Sequence, residues 1–283
     1  MKSYSDNPKS IKYYIKRFIL KNQTILKDKI VIDVPAGNGI TSALLKDIGA
    51  NPLPFDIFPE YFTAEGLVCK QADVMQGIPV EAQTADWLFC QEGIEHFSDQ
   101  FAAIKEFNRV LKPGGKLVIT TPNYSNLRSR MSYLLGETER FNSMMPPNEI
   151  DSIWMNNSSD SSQIYFGHLF LIGIQKLRAL AKLAGFRIVE IEPTRLKTTS
   201  LAILVFLYPK IWFSNYLAYC KNVRKDKGVD AAFQKKVYKE QFKLNTNFRI
   251  LVDSHLFVVF EKENESNEVL ITLKSIHKEF GLT

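Results

Sequence analysis

The chain has 283 residues, 45% of them apolar and 23% charged, an ordinary globular composition that excludes a disordered, collagen-like or polytopic membrane chain. Its net charge of +6 is local: residues 221–249 hold nine Lys or Arg against three Asp or Glu, and the remainder is balanced, so nucleic acid is not an expected partner. Cys69, Cys90 and Cys220 lie far apart, with no C-x-x-C pair and no His cluster beside them, so neither a disulfide framework nor a metal site is expected and a cytoplasmic setting suits the chain.

The first ten residues are polar and lack the apolar core of a signal peptide. Residues 10–20 then set Ile11, Tyr14, Ile15, Phe18 and Ile19 on one helical face, with Lys12, Lys16 and Arg17 elsewhere. That is an amphipathic helix, packed on a sheet edge or lying on a membrane surface. Residues 29–34, Lys-Ile-Val-Ile-Asp-Val, read as a strand buried on both faces. Gly37 and Gly39 break it, and 40–48 reads as a helix. Strands are expected at 53–57, 67–72 and 86–90, with Asp99 capping a helix over 100–111. Residues 112–115, Lys-Pro-Gly-Gly, turn into a fifth strand at 116–121. A helix over 174–184 stops at Gly185, and strands follow at 186–191 and 255–262. The alternation predicts an α/β fold: a doubly wound, mostly parallel seven-stranded sheet with helical insertions.

Two long connections interrupt this rhythm, 124–167 and 194–252, and connections of that length tend to be lids or binding elements. The predicted organisation is an N-terminal amphipathic helix (1–28) and a core (29–193 plus 253–263) with a lid insertion over 124–167. An apolar and basic helical insertion (194–252) and a C-terminal tail (264–283) complete it.

Chemistry gathers at the carboxyl ends of the predicted strands, where parallel sheets bind ligands. The first strand-to-helix turn runs from Asp33 through Pro35 and Ala36 to Gly37, Asn38 and Gly39. A dinucleotide fingerprint would need a third Gly where Ser42 stands, so that reading fails. Asp56, followed by Ile57, ends the second strand, where an acid accepts hydrogen bonds from both hydroxyls of a ribose. Asp73, followed by Val74, ends the third, placed to accept from an adenine amino group. Cys90 and Gln91 end the fourth, before Glu92, Glu95 and His96.

In these residues the chain resembles the class I S-adenosylmethionine-dependent methyltransferases, with a Rossmann-like fold. The resemblance covers about 30–192 and resumes at 255–262. The turn from Asp33 to Gly39 is similar to the family's first motif, usually Asp-x-Gly-x-Gly-x-Gly, with Pro35 and Ala36 occupying its first part. The resemblance implies S-adenosylmethionine as cofactor, bound by Asp33, Ala36, Gly37, Asn38, Gly39, Asp56, Ile57, Asp73, Val74 and Gln91. It also implies that the last strand enters antiparallel between the fifth and sixth.

The methyl acceptor is less determined. No Asn-Pro-Pro-Tyr-type tetrapeptide follows the fourth strand, so amino-group methylation of DNA bases or glutamine finds no support. The candidate catalytic bases are His96 and His168, with the carboxylates Glu92 and Glu95; His96 also reads as a cap or packing residue, and His168 as a lid anchor or substrate-binding residue. His255, inside a strand, and His277, in the tail, read as structural. Gly167-His168 and residues 121–130, with Asn123, Tyr124, Arg128 and Arg130, resemble methyltransferases of bacterial glycan and lipid-linked-sugar pathways. Residues 201–219 are almost all apolar but carry Pro209 and Lys210 at their middle, which predicts a broken hairpin rather than a span. With the basic block behind it, 201–243 suits an anionic membrane surface, a homodimer contact or a hydrophobic acceptor channel. The expectation is O-methylation of a small-molecule or lipid-linked sugar acceptor by a cytoplasmic, peripherally membrane-associated enzyme. The alternatives are a small-molecule or isoprenoid-ring methyltransferase and an inactive scaffold of the same fold.

Overall fold

The computed structural model describes residues 4–138, 146–150, 153, 165–225 and 227–276. Seven strands form one sheet in the order β3-β2-β1-β4-β5-β7-β6. They are β1 (Ile30–Asp33), β2 (Asn51–Asp56), β3 (Lys70–Gln71), β4 (Ala85–Gln91), β5 (Leu111–Pro122), β6 (Phe186–Ile191) and β7 (His255–Lys262). Pairs from β3 to β5 are parallel, and β7 runs antiparallel to both β5 and β6. This is the Rossmann-like methyltransferase architecture, with the last strand inserted where the sequence resemblance implied. The third strand is shorter than expected, two residues instead of six. Residues 112–115 loop out between Leu111 and Lys116, both of which pair with β4.

The helices are α1 (Ile11–Lys21), α2 (Gln23–Leu26), α3 (Ile40–Asp47), α4 (Gln100–Val110), α5 (Leu127–Gly136), α6 (Ile174–Leu183), α7 (Thr198–Val223), α8 (Ala231–Asn245), α9 (Phe248–Val252) and α10 (Ser266–Ile276). Successive strand residues face opposite sides, so β-branched and aromatic runs bury both. Val31, Phe89, Val118 and Phe257 face α1, where Phe18 meets Trp87, Phe89 and Phe257 at ring separations of 5.2–6.2 Å. Ile32, Leu88, Ile119 and Val258 face α4 and α6, whose Phe107 and Leu177 are fully buried. α1 therefore covers the middle of a sheet face rather than an edge. Asp99 caps α4 as expected, accepting from the Ala102 N–H at 2.9 Å.

The apolar stretch departs from its prediction. Residues 201–219 lie inside a single continuous helix, α7, with Pro209 in its interior. The missing N–H of Pro209 would have bonded Val205 O, four residues back. Both residues are exposed, so the freed carbonyl is not trapped in the core and the helix runs on. α8 folds back along α7, where Phe242 packs on Trp212, Tyr216 and Tyr219. α9 then leads into β7 with Ile250, Leu251 and Val252 buried. The first part of the expected lid is α5; 139–145, 151–152, 154–164 and His277 lie outside the described residues.

Candidate active site

A cavity of about 660 Å³ opens over the carboxyl ends of β1, β2 and β4, a volume usual for a small-ligand site. Asp33, at the end of β1, is buried and accepts a hydrogen bond from Ser42 Oγ at 2.6 Å. Burial pushes its carboxyl up to about 7, helped by the nearby Asp56 charge and opposed by the Ser42 bonds. The turn after it comes back over the sheet so that the Gly37 N–H donates to Asp56 Oδ2 at 2.7 Å. The Phe58 N–H donates to the other oxygen, Oδ1, at 2.9 Å. Two backbone donors thus fix the Asp56 carboxylate, and each oxygen keeps a further lone pair.

Gly37 (φ +52°) has nothing within 4 Å of where a Cβ would stand, so ligand atoms have room to approach its backbone. Gly39 plays a different part. It is not among the cavity's lining residues, and a Cβ there would fall 2.6 Å from a Phe62 ring carbon and 2.7 Å from the Ala64 Cβ. Its φ of +84° starts α3. Gly39 thus meets a packing requirement at the start of α3.

The other expected positions, Ala36, Asn38, Ile57, Asp73, Val74 and Gln91, all line the cavity. Asp73 accepts from the Met75 N–H and from Gln76 Nε2, each at 3.0 Å. Gln91 Oε1 accepts from Thr41 Oγ1 at 2.8 Å. Sequence reasoning missed Ser10, Ile11 and Lys12 at the start of α1, together with Phe58 and Tyr165, whose rings stand 4.7 Å apart. Lys12 Nζ donates to Asn38 Oδ1 at 3.0 Å, and burial holds its ammonium below the usual lysine range. The period of α1 explained Ile11 as core, so nothing in the pattern marked that end of the helix as a wall of the site.

His96, in a 3-10 turn after β4, also lines the cavity. Its Nδ1 lies 2.8 Å from Phe166 O and 3.0 Å from Gly167 O. A carbonyl only accepts, so Nδ1 carries the proton and Nε2 of the neutral ring is an acceptor. His168 does not line the cavity. Its ring stands 5.2 Å from that of His96. Glu95, fully buried, accepts from Thr121 Oγ1 at 3.0 Å. Glu95, His96 and His168 bring one ligand atom each to within 4.8 Å of one another, a His-carboxylate cluster that the spacing in sequence concealed and whose ligand types a divalent cation accepts. Asn123 is buried and serves the fold: its Nδ2 donates to Ile250 O and Asp253 O at 2.8 and 2.9 Å. Glu92 Oε2, on the cavity wall, lies 3.4 Å from His255 Nε2.

Residues 8–191 match a family model described as a methyltransferase domain. A ubiquinone biosynthesis O-methyltransferase from Psychrobacter arcticus is 34% identical over 120 residues, 38% of this chain and 45% of that protein. One from Coxiella burnetii is 28% identical over 165 residues, 56% of this chain and 67% of that protein. The match to the Psychrobacter protein thus spans less than half of its length. A SAM-dependent methyltransferase from Archaeoglobus fulgidus shares the fold, with a TM-score of 0.52 at 16% identity over 92% of this chain and 98% of the other. The chain belongs to the methyltransferase domain family.

Proposed function

We propose that this methyltransferase transfers the methyl group of S-adenosylmethionine to a hydroxyl oxygen on a small lipophilic ring, of the kind that carries an isoprenoid tail. The observation that carries the chemistry is His96: an imidazole on the cavity wall whose Nδ1 is tied to two carbonyls, leaving Nε2 to take the proton of a hydroxyl. The curated relatives named above favour the isoprenoid ring over the sugar acceptor that residues 121–130 and Gly167-His168 had suggested.

The residues present suit the cofactor. Asp56, pre-set by Gly37 and Phe58, has lone pairs left for two ribose hydroxyls; open space over Gly37 admits the cofactor close to the backbone. Val74 and Met75 offer apolar surface beside Asp73 for an adenine ring. Asp33 and Glu92 give a cationic ligand an acidic surrounding. Bound there, S-adenosylmethionine supplies a methyl group already activated on a sulfonium. The chain orients the acceptor hydroxyl and moves its proton to His96 Nε2. His96→Gln should lower kcat by about 10²–10⁴-fold while S-adenosylhomocysteine binding stays at the wild-type level. Wild-type turnover in that variant would remove the base assignment. An enzyme that methylates sugars and leaves prenylated catechols untouched would remove the acceptor class.

The surface supports a lipophilic acceptor too. α7 exposes Val205, Phe206, Trp212, Phe213, Tyr216 and Leu217, while Lys235, Lys239 and Lys243 form an exposed i, i+4, i+8 row on the adjoining α8. The one acid within α8, Glu240, points the other way, 2.7 Å from Arg178 of α6. Apolar and aromatic side chains beside lysines suit the plane of an anionic membrane. α7 is long and apolar enough to span one, but α8 returns along it to β7 in the central sheet, so we read it as lying on the surface.

A further inference from the structure

A second cavity, about 340 Å³, lies between the start of α6, the end of α8 and α5, outside the site described above. Tyr124, Arg130, Tyr133, Gly173, Gln175 and Lys176 line it, and none of its lining residues is an Asp or Glu. Arg130 is the unusual member. Burial holds its guanidinium below the ordinary arginine range with no carboxylate acting against the shift. Its backbone N–H is used within the start of α5, donating to Asn126 O at 3.0 Å, which leaves the guanidinium as the group turned to the cavity. The side chain is half-buried, so its guanidinium is partly shielded from water at the cavity wall with no acid lining the cavity to offset its charge.

The rest of the cavity points the same way. α6 starts here on Gly173, which has no side chain to cap it. The Ile174 N–H is taken by Ser125 Oγ at 2.8 Å. The next two N–H groups, of Gln175 and Lys176, have no acceptor within their own helix. Lys176 is exposed beside them. Tyr124 and Tyr133 form an edge-to-face pair 6.1 Å apart, an apolar wall for a ring or chain. Gln175 Oε1 is buried without a donor, which suits a ligand that also carries an O–H.

We propose that this cavity is an oxyanion subsite, in which Arg130, Lys176 and the first turn of α6 hold a carboxylate or phosphate group of a ligand lying against Tyr124 and Tyr133. It stands independently of which ring the enzyme methylates. The test follows melting of the full-length protein as sodium benzoate, inorganic phosphate or a short-chain phosphatidylglycerol is titrated in, at ionic strength held constant with chloride. At least one of these should raise the wild-type melting temperature saturably. Its apparent Kd should rise at least about tenfold in Arg130→Gln, the loss of one charged hydrogen bond, and by a smaller factor in the exposed Lys176→Gln. Both variants should bind S-adenosylhomocysteine as wild type does, which shows that the fold and the cofactor site are intact. Preference for benzoate assigns the subsite to an aromatic carboxylate on the acceptor. Preference for inorganic phosphate assigns it to a free anion, and preference for the phospholipid to a headgroup. No saturable binding by wild type overturns the proposal, as does equal affinity in wild type and in whichever of the two variants folds.

Discussion

Among single residues, Asp33 links protonation to ligand binding. Its carboxyl, raised to about 7 by burial, keeps a proton in the folded chain that an unfolded chain has released by about pH 4. The folded state therefore holds the extra proton between those two values. Stability from this group is greatest below the lower one and declines as pH rises through the window. A cationic cofactor favours the ionised form, so S-adenosylmethionine should bind more weakly at about pH 6 than at about pH 8. Calorimetric titration of Asp33→Asn should show that dependence flattened, and its ligand-free melting temperature at about pH 8 should lie above wild type. An unchanged pH profile would assign the dependence to another group. Asp33, Asp56 and Gln91 were legible as cavity-lining positions because each stands where a strand ends, and Asp73 because it follows β3 by two residues. Gly39 has a further reason that no local pattern carries, since Phe62 and Ala64, which leave no room for a side chain there, return from beyond β2. The meeting of His168 with His96 is a tertiary event across the connection after β5, and no local pattern announces it.

Among the helices, α7 shows how a local signal is overridden. Pro209 and Lys210 in an apolar run argue for a break, yet the proline falls on the solvent side, where the lost backbone bond costs least. Exposed apolar positions on α7 and the Lys row on α8 then stand on two helices packed together, although they read separately in sequence. If these side chains meet lipid, the protein should co-sediment with vesicles of phosphatidylcholine and phosphatidylglycerol and not with phosphatidylcholine alone. Added salt should weaken the binding as the Debye length shrinks. Phe206→Asp with Phe213→Asp should abolish it, and Lys235→Gln with Lys239→Gln and Lys243→Gln should weaken it, with melting temperatures near wild type in both because all these side chains are exposed. A wild-type protein that ignores both kinds of vesicle would leave α7 to another partner.

For the molecule as a whole, strand alternation was enough to give the sheet and its helical layers, because buried parallel strands write themselves as short β-branched runs. β3 was the most overestimated, since an edge strand of two residues leaves little pattern. The net charge was legible as a position in the chain; that it sits beside the apolar side of α7 required the fold. β7 is the strand on which the sheet depends. It pairs along both sides, with β5 and β6, and its Lys262 Nζ donates to Asn108 O and Leu111 O at 2.8 and 2.9 Å. A chain ended after Asp253 should lose its cooperative melting transition, because Phe257, Val259 and Phe260 leave both core layers at once; a cooperative transition in that truncation would show that β6 can dock without β7.

The place of β7 also sets an order of events during synthesis. β1, β2, β4 and β5 can pair as they leave the ribosome, but β6 emerges with no neighbour and must wait until the whole apolar α7 and α8 have followed. Over that interval the edge of β5 and the apolar side of α7 are exposed together, so the nascent chain is most in need of a chaperone or a membrane surface shortly before its sheet closes.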